Sequence, residues 1–294
     1  ALDVARASGV RLQISHLKTA GRANLGKLDA ALDKIRVAQA AGVEVASDRY
    51  PYTASCTDLD IILPTWAAQG GRAAILARLR DPMERAKIRA EMAAACDEKY
   101  WENVWVGSTR HPDNAPFAGK PIALAADAWK RHPLDAALRL MDTDELFTGG
   151  IFFGMSEENM WRILAERWVM IGSDASIRSP TGPLSHDHPH PRAYGTFGRF
   201  LRAALAGKTV SVGEAVRKMT SLPAEQFRLE GRGVIRAGAF ADVVALDPKT
   251  FRDVATYEQP HQFCEGLSAV WVNGILTFRD GQETGARGGR YLTV

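Results

Sequence analysis

Val10-Arg11-Leu12-Gln13-Ile14-Ser15, then Leu28 to Ala41, then Val43-Glu44-Val45-Ala46 are the segments on which the fold turns. The first is a short apolar run. The second places apolar residues at helical spacing and stops at Gly42, and the third opens another apolar run. Together they read as strand, helix, strand, the repeating unit of a parallel sheet.

The alternation continues outward to about Ala255. Ala73 to Cys96 reads as helical, with a break at Asp81-Pro82, because the residue before a proline is driven out of helical conformation. The region near 70–100 is therefore an excursion from the pattern. Val104 to Gly107 and Gly150 to Phe153 predict strands, and Leu124 to Arg131 and Pro133 to Met141 predict helices. Ser156 is placed to cap a helix from Glu157 to Arg167, its hydroxyl accepting from an amide of the first turn. Trp168 to Ser173 predicts a buried strand. Beyond Leu222-Pro223, Gly231 to Leu246 and Ala269 to Arg279 are β-rich and glycine-rich, and Asn273-Gly274 signals a hairpin turn. The expected organisation is an α/β unit over 1–222, with its helical excursion, and a segment over 223–294 contributing to a β-rich module.

With 46% apolar and 24% charged residues among 294, the chain can bury a large core. A net charge of +3 is too small to attract nucleic acid. The longest apolar stretches, Trp168 to Ile171 and Ala269 to Val272, fall far short of the roughly 20 residues that span a bilayer, so a membrane is not an expected partner. Cys56, Cys96 and Cys264 are widely spaced and odd in number, which argues against a disulfide framework and for a cytoplasmic location. Ala1 to Ala7 has no features of a signal peptide and reads as part of an amphipathic helix already under way, so an upstream portion is expected.

Reactive groups of parallel α/β enzymes collect where strands end and loops converge. Ile14-Ser15-His16 runs an apolar strand into an imidazole that can offer a nitrogen to zinc, or can simply cap the strand by hydrogen bonding. In Asp48-Arg49-Tyr50-Pro51-Tyr52, Pro51 stops the strand, and either tyrosine can face a site or pack in the core. In Val169-Met170-Ile171-Gly172-Ser173-Asp174, a carboxylate follows a buried strand, where it is costly unless paired, metal-bound or solvated in a cleft. Asp174 is the best candidate base, against the alternative of a turn or cap aspartate. The run His186-Asp187-His188-Pro189-His190-Pro191-Arg192 has metal-like spacing, but its prolines make it a loop that lines substrate rather than a metal pair. The planar fork of Arg192 suits a carboxylate, whether of a substrate or of a surface ion pair.

In order, Ser15-His16-Leu17-Lys18, Asp48 to Ala54, Gly154-Met155-Ser156, Ile171 to Asp174 and His190-Pro191-Arg192 resemble the signature blocks of D-aminoacylases, the N-acyl-D-amino-acid deacylases of the amidohydrolase superfamily. Gly233-Val234-Ile235, Gly238 and Ala241-Asp242-Val243-Val244 resemble the β-module that follows the barrel in that superfamily. The resemblance implies a (β/α)8 TIM-like barrel, its first strands missing here, with a small C-terminal β-rich module. It also implies one or two zinc ions and hydrolysis of a small-molecule N-acyl-D-amino acid. His16 is then a zinc ligand, Asp174 the acid/base and Arg192 the clamp for the α-carboxylate. Phe152 and Met155 line the side-chain pocket, and Lys18 and Tyr50 meet the substrate. Some members carry a zinc-binding histidine where this chain has Tyr50, which leaves Tyr50 to orient the metal water or the substrate.

The family's N-terminal His-x-His pair and upstream cysteine have no counterpart here, so this chain by itself is expected to be inactive. Phe152 and Met155 point to an apolar amino-acid side chain, whereas Lys18, Arg49 and Arg178 point to an acidic one; oligomeric state is open. The alternatives are a cyclic-amide hydrolase, against which the Gly154-Met155-Ser156 and His190-Pro191-Arg192 blocks speak, and a barrel that has lost its metal.

Overall fold

A computed structural model describes residues 1–292. In chain order the elements are α1 (Leu2–Ser8), β1 (Leu12–Ile14), α2 (Leu28–Ala40), β2 (Val45–Arg49), β3 (Ala54–Asp58), α3 (Gly71–Arg80), α4 (Pro82–Ala95) and α5 (Glu98–Trp101). There follow β4 (Val104–Val106), α6 (Ile122–Ala128), α7 (Pro133–Thr143), β5 (Gly149–Phe153), α8 (Glu157–Ala165) and β6 (Val169–Ile171). The chain continues through α9 (Arg192–Leu205), α10 (Val212–Met219), α11 (Ser221–Gln226), β7 (Val243–Leu246), β8 (Leu267–Val272), β9 (Ile275–Arg279) and β10 (Gln282–Glu283).

The strand-helix-strand unit forms as its pattern predicts. On α2, Leu28, Leu32, Ile35 and Ala38 fall on one face and are buried. The helix stops where Val43 N–H donates back to Ala38 O at 3.0 Å and Gly42 takes a φ of 86°, a conformation that suits glycine. Strands β1 and β2 pair in parallel, Leu12 against Val45, and β2 pairs in parallel with β6, Ser47 against Val169. All three residues of β6 are buried, as expected of a strand covered on both faces. The three strands point the same way, so His16, Tyr50 and Asp174 leave the same end of one sheet.

Strands β3, β4 and β5 correct the expectation of a single parallel sheet: they form a separate antiparallel sheet in the order β3-β5-β4. The reason lies in the connections. Helices α3 and α4 meet at the Asp81-Pro82 break and pack on each other, as do α6 and α7, so the chain doubles back instead of crossing over. Strand and helix alternate in sequence either way. This sheet and its helices enclose their own core, with Leu79, Ile88, Trp101, Ile122 and Leu138 buried in it.

The Ser156 cap forms, its hydroxyl accepting from Asn159 N–H at 3.2 Å. Strands β7 to β10 make an antiparallel meander, and Asn273-Gly274 is the tight turn between β8 and β9, with φ of 51° and 80°. Of the stretch Gly231 to Leu246, only Val243–Leu246 is strand; the rest winds along the edge of the module in turns. No helix among the described residues is long and apolar enough to cross a membrane.

Candidate active site

His16 stands two residues beyond β1 with a φ of 42°, and Asp174 three residues beyond β6 with a φ of 49°. Left-handed backbone is uncommon outside glycine, and positions that hold it need support from their surroundings. For His16 that support is Asp48, on the middle strand β2. One oxygen of Asp48 accepts from His16 N–H at 2.8 Å, the other from the Gln13 amide at 2.8 Å, and its carbonyl accepts from Leu17 N–H at 2.9 Å. Gly172 lies against the same carboxylate, and a Cβ on it would sit 3.1 Å from Asp48 Oδ1. Asp48 thus braces both loops. The signal for it was present in the sequence, since a carboxylate inside an apolar strand demands a partner just as Asp174 does.

Tyr50 lies between the two loops. Its ring is fully buried and its hydroxyl has no hydrogen-bond partner among the described residues. The guanidinium carbons of Arg49 and Arg192 lie 4.2 and 4.6 Å from its ring centre, and Lys18 Nζ lies at 5.8 Å. Burial pushes the Tyr50 phenol above its ordinary pKa, with the two arginines opposing. Burial first, and the Arg49 charge second, lower Lys18 to about 8. Lys18 Nζ is 2.8 Å from His16 Nδ1, and His16 Nε2 has no hydrogen-bond partner among the described residues.

Arg192, at the start of α9, is buried and tightly held. Its Nη2 donates to Cys56 O at 3.2 Å, and its backbone N–H donates to His190 Nδ1 at 2.9 Å. Its Nη1 forms an ion pair with Asp174 Oδ2 at 3.0 Å. Because His190 Nδ1 accepts, the ring proton sits on Nε2 and is donated to Ala54 O at 3.1 Å. Burial and the Arg192 charge hold His190 well below its ordinary pKa, so it is a neutral structural ring among Tyr50, Tyr52 and Tyr257.

Asp174 and Arg192 line a cavity of about 640 Å³ together with Cys56, Arg110, Arg178 and Asp187. Arg178 and Asp187 pair at 2.9 Å across it. The histidine run is a loop along this cavity: His186 and His190 line it, while His188 is fixed by Ser108 and Tyr257 O. Cys56 contributes its carbonyl, and burial raises its thiol above the ordinary value, which disfavours a nucleophilic role.

The expected pocket residues part company. Met155 Sδ lies 3.1 Å from Arg49 Nη2, close to the tyrosine cluster. Phe152 packs instead against the core of the helical excursion and is not part of the cavity lining. Alternate residues of β5 face opposite sides, and Phe152 falls on the side of the helices. Among the described residues no group of three or more His, Cys, Asp and Glu side chains is placed to hold a metal ion; His16 is a lone imidazole.

Residues 161–278 match the Amidohydrolase family. Over 278 residues, 94% of this chain, the sequence is 35% identical to an N-acyl-D-glutamate deacylase of Alcaligenes xylosoxydans xylosoxydans, covering 47% of that protein. It is 33% identical to a D-aminoacylase of the same organism over 98% of this chain and 50% of that protein. A crystal structure of N-acyl-D-glutamate deacylase from Bordetella bronchiseptica, complexed with zinc and a phosphonate inhibitor, superposes with a TM-score of 0.72 and 31% identity, covering 96% of this chain and 50% of that one. A crystal structure of D-aminoacylase gives 0.71 and 30%, covering 97% and 50%. The chain spans about half the length of the curated relatives it matches.

Proposed function

We infer that this chain belongs with the D-aminoacylases of the amidohydrolase superfamily and forms part of an enzyme that hydrolyses N-acyl-D-amino acids. The observation that carries the reading is the juxtaposition of His16, Tyr50 and Asp174 at one end of three adjacent parallel strands, with Arg192 paired to Asp174 beside them. In this reading β1, β2 and β6 are strands of a (β/α)8 barrel. Residues 1–222 form its share of that barrel, and 223–294 contribute to the β-rich module.

Zinc is the metal of the related structure and the one that suits His16. A ring nitrogen of His16 is a fitting donor for one coordination position, although while Lys18 donates to Nδ1 the ring proton sits on Nε2, so ligation requires that contact to break; a catalytic site commonly takes three protein ligands. The others are assigned to a part of the protein beyond these 294 residues. When bound, the ion acidifies a water and polarises the acyl carbonyl. The chain's own residues supply the rest. Asp174 takes a proton from the attacking water and returns it to the leaving nitrogen. Arg192 holds the α-carboxylate, and the Tyr50 hydroxyl, fully buried beneath the arginines and outside the cavity lining, donates to the oxygen on which charge develops once the loops on either side of it part. Met155 borders the substrate side chain, and Lys18, once released from His16, meets an anionic group of the substrate. Phe152 reaches the substrate only through rearrangement of β5.

Metal analysis and hydrolysis of N-acetyl-D-amino acids by the full-length protein test the reading. Asp174→Asn is expected to lower kcat by about 10²- to 10⁴-fold with zinc content unchanged, and His16→Ala to lower zinc content. Full turnover by Asp174→Asn would overturn the assignment of the acid/base.

A further inference from the structure

The long connection between β7 and β8, residues 247–266, belongs by sequence to the β-rich module, yet it comes to rest on the loop that lines the cavity. Its neck is closed by Arg252 and Glu265, which pair through backbone and side chain alike, and by Phe251, buried in the same core as Phe200 and Leu201 of α9. Glycines of α9 let it lie close: a Cβ on Gly198 would meet Cys264 Sγ, and one on Gly195 would sit 3.4 Å from Asp253 Cβ. Its tip is tied by bonds of its own, Thr256 N–H to Gln259 O at 3.1 Å and the Gln262 amide to Gln259 O at 2.7 Å. A connection closed at the neck and braced at the tip can hold another segment in place.

The segment it holds is the peptide between Asp187 and His188. The carbonyl of that peptide, Asp187 O, accepts from His261 Nε2 at 2.7 Å, and its N–H, on His188, donates to Ser108 Oγ at 3.0 Å. The two bonds leave opposite edges of one rigid plane. A carbonyl oxygen only accepts, so the His261 proton is on Nε2, with Nδ1 turned to the Tyr194 hydroxyl at 3.1 Å. A carbonyl of the connection, Tyr257 O, takes the His188 ring at 2.6 Å, and Gly119 leaves the room for that contact. Asp187 then reaches Arg178 Nη1 with its side chain at 2.9 Å, and both residues line the cavity. We propose that His261 is a positioning residue for substrate binding: it fixes the 187–188 peptide and, through it, the Asp187–Arg178 pair that forms one wall of the cavity. The kinetic side of this rests on the deacylase reading. Neither Asp187 nor Arg178 is among the groups assigned to the metal, the proton transfers or the α-carboxylate. A displaced wall therefore weakens ground state and transition state alike, and the loss falls on KM.

The test uses the full-length protein and whichever N-acetyl-D-amino acid it turns over fastest. His261→Leu is expected to raise KM about tenfold while kcat stays within about twofold. His261→Gln, whose side-chain amide offers an N–H near the place of Nε2, is expected to recover most of that loss. Asp187→Asn is expected to raise KM to the same degree, and adding His261→Leu to it to change nothing further, because both act through one contact. Hydrogen exchange at the His188 amide, whose bond to Ser108 is at stake, reads the peptide plane in the same proteins before substrate is added. It is expected to quicken about tenfold in His261→Leu and to stay at the parent rate in His261→Gln. Should His261→Leu not fold, His261→Asn, which is too short to reach Asp187 O, takes its place. An unchanged exchange rate in the folded variant overturns the proposal, as does an unchanged KM in Asp187→Asn or additive losses in the double variant. If the full-length zinc protein hydrolyses no N-acyl-D-amino acid, the deacylase reading falls, and the exchange rates still decide whether His261 holds the loop.

Discussion

At Tyr50 a cost to folding and the proposed chemistry fall on one residue. A buried hydroxyl without a partner costs about 1 kcal/mol or more, and removing it returns that energy. Tyr50→Phe is therefore expected to raise the unfolding free energy by about 1 kcal/mol while lowering kcat of the full-length enzyme by about 10²-fold. Denaturant titration and steady-state kinetics measure the two; a variant that is both less stable and fully active would assign Tyr50 to packing. At this scale the sequence reveals residues whose context is contradictory, such as the polar His16 and Asp174 at the ends of apolar strands. It does not reveal who meets whom. Asp174 reaches Arg192 across an irregular loop, and Asp48 reaches His16 from the neighbouring strand, contacts that no local period encodes.

Helix α10 and strand β6 are joined through a lysine. Lys218 is fully buried, its Nζ donating to Val169 O at 2.8 Å and also to Glu166 O. Burial, opposed by Glu214, lowers its pKa from 10.5 to about 8. In the unfolded chain the amine keeps its proton to about pH 10.4. Between roughly 8 and 10.5 the unfolded state therefore binds more protons than the folded one, and stability from this group rises as pH climbs through that window. Measured against Lys218→Met, the parent is expected to gain on the order of 1–3 kcal/mol between pH 7.5 and 10. A difference that stays flat would mean that the amine remains charged inside the fold. Among elements, the α2 stripe, the Ser156 cap and the Asn273-Gly274 turn are all legible, because each is decided by neighbours in sequence. The β3-β5-β4 pairing is not, since it depends on helices folding back on one another.

At the scale of the molecule, helices α9 to α11 and the meander border a second cavity of about 790 Å³ that is mostly apolar, with Phe197, Val216, Val234 and Phe263 around it. Each of these four side chains is more than 40% exposed. A contiguous apolar surface of this kind binds hydrophobic dyes in a folded protein. The purified chain is expected to enhance anilinonaphthalene sulfonate fluorescence while keeping native near-ultraviolet dichroism, and Val216→Asp to lower that enhancement without unfolding. No enhancement would mean that the groove closes in solution.

The cavity beside Asp174 has two unlike sides. Cys56, Thr57, Arg110 and Gly149 belong to the antiparallel sheet and the turns that leave it, rooted in the core of the helical excursion, whereas Asp174 follows the parallel strands. Changes in the excursion can reshape one wall of the cleft while Asp174 stays where it is. They also reach Arg192 and His190, which hang from the carbonyls of Cys56 and Ala54 on that same sheet. Of the proposed reacting groups, the arginine alone ties the two sides together.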